Sequence, residues 1–163
     1  MQKELLVRKN IRLKDYDYSQ GGYHFVTICT KDRQNLLGGI VGAASGRPEM
    51  VLSNHGEIVK SWIDKISEKY PYVKIENAVV MPNHIHIILS INTDGRPDAA
   101  PTATLGSIIG YFKHQTTKDA DVHGLWQRSY HDHIIRDEAA YQRIYQYIAQ
   151  NPALWLDDCY YTT

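Results

Sequence analysis

Between Gly22 and Lys31 the run GYHFVTICTK is rich in β-branched and aromatic residues and predicts a first strand. The Gly-rich stretch GGIVGAASGRPEMVLSN predicts a hairpin excursion, and without a Gly-Lys-Ser/Thr ending it is no phosphate loop. Ile58, Trp62 and Ile66 recur at helical spacing and predict a helix from about Glu57 to Lys69. Strand character resumes at YVKIENAVVM and is interrupted by Pro82 and Asn83, where a bulge or tight turn would re-aim the side chains that follow. The next run, HIHIILSI, reads as an almost wholly apolar strand. A loop, DGRPDAAPTA, leads to Leu105, Ile108, Ile109 and Phe112, the i, i+3, i+4, i+7 pattern of an amphipathic helix. LWQRSYHDHIIR, residues 125–136, predicts another strand. A last helix begins near Asp137 and Glu138, acids suited to its N-terminal dipole, and stops at Asn151-Pro152.

That order predicts an α+β fold, an antiparallel sheet with helices packed on one face, in a single domain over residues 1–163. Composition agrees: 43% apolar and 22% charged residues are an ordinary globular balance. No apolar run approaches a membrane span, and the charged start MQKELLVRKNIRLKDYDYSQ has no signal-peptide core, which points to a cytoplasmic protein with no membrane partner. Cys29 and Cys159 make neither a disulfide framework nor a zinc spacing. With 18 basic and 18 acidic side chains the chain is formally neutral, which counts against nonspecific coating of nucleic acid but not against a local patch. Lys3, Arg8, Lys9, Arg12 and Lys14 crowd the N-terminus, and Arg128 and Arg136 flank a later strand. The 12 tyrosines against 2 phenylalanines suit half-buried sheet surface or stacking on unpaired bases.

Chemistry concentrates in VVMPNHIHIILSI, residues 79–91. A strand turns every second side chain to the same face, so His84 and His86 project together while Ile85, Ile87 and Leu89 point to the other side. Imidazoles are costly to bury alone. Either the sheet holds two satisfied core histidines, or it presents two ligands that chelate one ion. With 8 histidines in the chain, a His-x-His is no rarity, and His131-Asp132-His133 is a second one.

In the last helix Tyr141, Ile144, Tyr145 and Ile148 form the core stripe, and Tyr147 lies roughly 110° from its centre. Arg143 and Asn151 stand one turn before and after Tyr147. Such a flanking tyrosine either covers a surface seam or serves as a nucleophile beside a phosphate-binding group.

MPNHIHIIL, followed 61 residues after His86 by the tyrosine of YIAQNP, resembles the HUH single-tyrosine transposases, namely the insertion-sequence transposases and the REP-associated tyrosine transposases. GYHFVTICTKDR and LWQRSYHDHIIRDE are similar to further strands of that family. The resemblance implies a ferredoxin-like sheet and an enzyme that cleaves and transfers single-stranded DNA next to hairpins. His84 and His86 would hold a divalent cation, Mg²⁺ or Mn²⁺, and Tyr147 would form a 5′-phosphotyrosine link. The insertion-sequence enzymes complete their metal site with a glutamine one turn after the tyrosine. Here that position is Asn151, which could ligate directly, ligate through water, or cap the helix. Gln150 and His133 are alternative donors. Tyr111, with Gln115 four residues on, is the second choice of nucleophile. Arg128, Arg136, Arg143 and Tyr130 are candidate DNA contacts. The resemblance allows a monomer or a homodimer. A nucleic-acid-binding module, for DNA or RNA, on the same scaffold but without catalysis is the alternative reading.

Overall fold

The structure is a computed structural model and describes residues 21–92 and 103–163. The basic cluster Lys3, Arg8, Lys9, Arg12 and Lys14, and all but the last residue of the loop 94–103, lie outside the described residues. Strands β1 (Gly22–Cys29), β4 (Val73–Val80), β5 (His84–Ile91) and β6 (His131–Ile135) form one antiparallel sheet in the order β4-β5-β1-β6. The Gly-rich excursion is a separate two-stranded hairpin, β2 (Gly38–Val41) with β3 (Glu49–Leu52). Among the described residues three α-helices pack on the sheet: α1 (Asn54–Lys69), α2 (Leu105–Ala120) and α3 (Glu138–Gln150).

Strand alternation divides the sheet into two faces with different tasks. On one, Ile85, Ile87, Leu89 and Ile91 of β5 join Val26 and Ile28 of β1 under α1 and α2, which contribute Val59, Ile63, Ile66, Leu105, Ile108, Ile109 and Phe112. Burying each of these side chains is worth about 1.5–3 kcal/mol, so this layer supplies most of the hydrophobic stabilisation. On the other face α3 packs across the sheet through a small cluster of Ile88, Ile135 and Ile148, with Phe25, Val79, Tyr141 and Ile144 around it. The expected antiparallel sheet with helices is therefore present, with one correction to its layering. Two helices share a face and the third lies opposite, because β5 is apolar on both sides (Ile88 as well as Ile87) and needs covering on both.

Three element boundaries also differ from the pattern reading. The strand expected over residues 125–136 shortens to His131–Ile135. Leu125 and Trp126 are buried and Trp126 still bridges Thr30 antiparallel, but pairing is interrupted before His131, where the Lys113 ammonium takes the carbonyls of Gln127 and Ser129. A register shift in β4 falls between Ile75 and Asn77, while Pro82 and Asn83 form the tight turn into β5. Helix α1 starts at Asn54, three residues before Glu57, capped by the Ser53 hydroxyl that accepts from the Gly56 amide at 3.2 Å.

Gly56 sits inside that first turn because the chain passes directly over it. A Cβ there would lie 2.1 Å from the Leu37 carbonyl oxygen. Leu37 in turn donates to the Pro82 carbonyl (2.9 Å) and accepts from the Ser53 amide (2.9 Å), so α1, the hairpin and the turn before the His strand meet at one point. Gly56→Ala should cost about 1–3 kcal/mol by overpacking against fixed backbone. Gly39→Ala, where nothing lies within 4 Å, is the matched control and should change stability by less than about 0.5 kcal/mol. Urea unfolding of both variants checks this, and equal midpoints would refute it.

Candidate active site

His84 and His86 are fully buried on the face that carries α3. Their Nε2 atoms face one another at 3.1 Å. What aims them is a set of bonds to the opposite ring nitrogens. Asn83 Nδ2 donates to the Tyr160 carbonyl at 2.8 Å and lies 3.2 Å from both the Arg33 carbonyl and the Thr162 hydroxyl. Carbonyl partners require a donor, so the amide cannot be flipped, and Asn83 Oδ1 is left to accept from His84 Nδ1 at 2.9 Å. His84 therefore carries its proton on Nδ1 and presents a lone pair at Nε2. On β1, Thr27 pairs with His86 in the sheet register, and its hydroxyl lies 2.8 Å from His86 Nδ1. When His86 donates from Nδ1 to that hydroxyl, as His84 does to Asn83, two imidazole lone pairs converge.

Such an arrangement asks for a cation. Two ligands at right angles, each about 2.1 Å from a common divalent ion, sit about 3.0 Å apart. That is close to the 3.1 Å found between the two nitrogens. Burial disfavours a proton as the substitute: it pushes the His84 imidazolium down to about 4, opposed by the nearby Asp158 carboxylate. His86 lies well below its ordinary value, first through burial and then through repulsion from His84. The donor set thus suits a divalent metal ion. Among the described residues, His84, His86 and Asp158 form a group that could bind one.

α3 delivers the phenol. Asp137 caps the helix, its carboxylate accepting from the Ala140 amide at 2.7 Å, and Ile144 and Ile148 seat it on the sheet. Tyr147, on the flank of that stripe, is 36% exposed. Its hydroxyl lies 3.4 Å from His86 Nε2, and its ring stands edge-on to Phe25 at 6.3 Å. Burial raises the Tyr147 pKa, while the Asn151 amide pulls it down. Asn151 follows one turn later and is fully buried, and neither side-chain polar atom has a well-formed hydrogen bond although the amide biases both His84 and Tyr147.

The remaining expected site residues lie elsewhere. Tyr111 is on α2, across the sheet from the histidines, with its ring against Trp62 at 6.1 Å and Tyr70 at 5.8 Å, which removes it as a nucleophile for this site. Tyr130 is 9% exposed within the main core, so it packs the sheet and offers no stacking platform. Gln150 is exposed, in contrast to the buried Asn151. His133 is exposed and pairs with Phe25, a full strand away from His86. Arg128, Arg136 and Arg143 are exposed. Neighbours of the site that escaped the pattern reading include Thr27, Asp158 and Tyr160, besides the rings of Phe25 and Trp155. Tyr160 stacks at 4.6 Å from the His84 ring, and burial pushes its phenol up to about 12, so it stays protonated. Only the strand parity of Thr27 could have signalled its role. Asp158 and Tyr160 follow the helix stop in irregular chain, where no period exists to read.

The chain is similar to several known proteins. A family model described as "Transposase IS200 like" matches residues 17–151. An uncharacterised protein of Haemophilus influenzae is 37% identical over 172 residues, covering 94% of this chain and 93% of its own. A second Haemophilus influenzae protein, provisionally described as a REP-associated tyrosine transposase, is 24% identical over 146 residues, 83% of this chain and 73% of its own. The solved structure of a REP-associated tyrosine transposase bound to a REP hairpin has a similar fold, with a TM-score of 0.63 and 23% identity over 87% of this chain and 73% of that one.

The depressed His84 imidazolium carries a stability signature. In the unfolded chain its pKa returns to about 6.5, so on acidification the unfolded state takes up the proton first. Stability should be complete above pH ~6.5 and fall as pH drops towards ~4, with a loss on the order of 3 kcal/mol from His84 and a further loss from His86. Thermal melts of metal-free protein in chelator check this. His84→Gln should flatten the slope, and a slope unchanged in that variant would contradict the assignment.

Proposed function

The chain belongs to the IS200-like transposase family, and from that premise we propose that it cleaves and rejoins single-stranded DNA through a 5′-phosphotyrosine link at Tyr147, next to DNA hairpins. The observation that carries the proposal is the approach of the Tyr147 hydroxyl to within 3.4 Å of His86 Nε2, the same nitrogen that lies 3.1 Å from His84 Nε2. A phosphodiester seated against the two imidazoles would have the phenol oxygen beside its phosphorus. Hairpin-containing DNA as substrate is supported by the fold shared with a transposase solved on a REP hairpin.

In this reading His84 and His86 hold a divalent cation, Mg²⁺ or Mn²⁺, which when bound supplies Lewis-acid polarisation of the phosphate. Tyr147 Oη attacks phosphorus, the P–Oη bond forms, and the P–O3′ bond breaks to release a 3′-OH. Keeping the phosphate as a tyrosyl ester conserves the bond for rejoining to another 3′-OH, with no external energy source. A phenol with an ordinary pKa near 10 is a weak nucleophile at pH 7. Asn151 works in the right direction, since its amide favours the phenolate against the effect of burial. Phe25 fixes the ring edge-on and limits the positions the hydroxyl samples. Phenol and imidazoles belong to one chain here, so this arrangement needs no second copy.

The test is a denaturing gel of labelled hairpin-bearing single strands incubated with protein and Mn²⁺. A covalent protein–DNA adduct should form, disappear in Tyr147→Phe, and persist in Tyr111→Phe. Cleavage that survives Tyr147→Phe would replace the tyrosine mechanism with attack by water. Binding with neither cleavage nor adduct in the wild type would favour a DNA-binding module without catalysis.

A further inference from the structure

We propose that Asp158, on the segment after α3, supplies a carboxylate ligand to the cation held by His84 and His86. This rests on reading the histidine pair as a cation site, and it deepens that reading by naming the charged member of the ligand set.

The first argument is convergence. One ligand atom from each of His84, His86 and Asp158 lies within 4.8 Å of the other two. Around an octahedral ion with ligand distances of about 2.1 Å, neighbouring ligands are about 3.0 Å apart and opposite ones about 4.2 Å. The three ligand atoms therefore lie within about 0.6 Å of the widest separation that one centre allows, and a small side-chain adjustment would close them on it.

The second argument is that the segment is built to stay there. Asn83, which orients His84, also donates to the Tyr160 carbonyl at 2.8 Å, two residues beyond Asp158. Arg33 donates to the Cys159 carbonyl at 3.3 Å, and its guanidinium lies 5.2 Å from the centre of the Tyr160 ring. Thr162 donates to the Arg33 carbonyl at 3.2 Å. The Asp158 carboxylate is itself oriented, because Oδ1 accepts from the Tyr160 amide at 2.8 Å. A residue tethered from both sides to the shell that aims His84 loses little further freedom on ligating.

The third argument is charge. Two neutral imidazoles and the amide of Asn151 would bring a divalent ion into a buried pocket with no negative partner. An uncompensated charge there is costly, whereas one carboxylate at ligand distance offsets much of it. Asn151, fully buried with no well-formed hydrogen bond on either side-chain atom, marks the same pocket as polar and unsatisfied. The span matched by the family model ends at Asn151. Asp158 follows seven residues later, beyond the matched span.

Calorimetric titration of the full-length protein with MnCl₂, without DNA, tests the assignment. Asp158→Asn keeps the shape and should weaken Mn²⁺ binding by about 10- to 100-fold, while circular dichroism and the metal-free melting temperature stay those of the wild type. Asp158→Glu should recover part of the loss. If Asp158→Asn titrates like the wild type while His84→Gln does not bind, Asp158 is not a ligand and the cation site stands. If the wild type itself takes up no Mn²⁺, the cation reading and this inference fall together.

Discussion

Asn83 has an amide whose two ends cannot be exchanged. Its nitrogen is committed to the carbonyls of Tyr160 and Arg33, which leaves its oxygen for His84 Nδ1. From that single orientation follow the tautomer of His84, the direction of its free lone pair, and the position of the segment that closes over the ring. The same residue's carbonyl accepts from the Thr30 amide at 2.9 Å, so the end of β1 is fixed to the turn as well. A short polar side chain in a tight turn thereby joins both ends of the folded chain to one imidazole. This gives the Met-Pro-Asn that precedes the histidine strand a physical reading: Pro82 makes the turn without needing an amide proton, and Asn83 aims what comes next.

The sheet separates stability from chemistry by parity alone. Odd positions of β5 (Ile85, Ile87, Leu89, Ile91) belong to the main core, and even positions (His84, His86, Ile88) belong to the layer under α3. A shift of one residue in the β1–β5 register would exchange the two sets, placing imidazoles in the aliphatic layer and isoleucines at the site. The aliphatic layer is thus what locks the histidines onto their face. The cost of burying them is moderated because each Nδ1 has a partner, Asn83 Oδ1 for His84 and the Thr27 hydroxyl for His86.

Much of this was legible before any coordinates. The two-residue spacing of His84 and His86 placed them together, the pattern from Leu105 to Phe112 gave α2, and the angular offset of Tyr147 put it on a flank. What pattern cannot give is which side of a two-faced sheet a helix covers. The apolar stripe of α3 reports only that one face is buried, and the hint lay instead in Ile88, an apolar residue on the histidine side. Nor does period exist in irregular chain, so Asp158 and Tyr160 carried no signal although they stand beside the rings. Leu125 and Trp126 read as one strand with His131–Ile135 because Trp126 does bridge Thr30, but the carbonyls between them, at Gln127 and Ser129, go to the Lys113 ammonium.

Because α3 rests on its own small cluster of Ile88, Ile135 and Ile148, its attachment is energetically distinct from the layer that folds the sheet. Its opening free energy is governed by those few side chains and not by global unfolding. Loosening that cluster would leave the β1–β5 pairing that carries the imidazoles in place, so exposure of the rings has a cost set apart from that of unfolding the sheet.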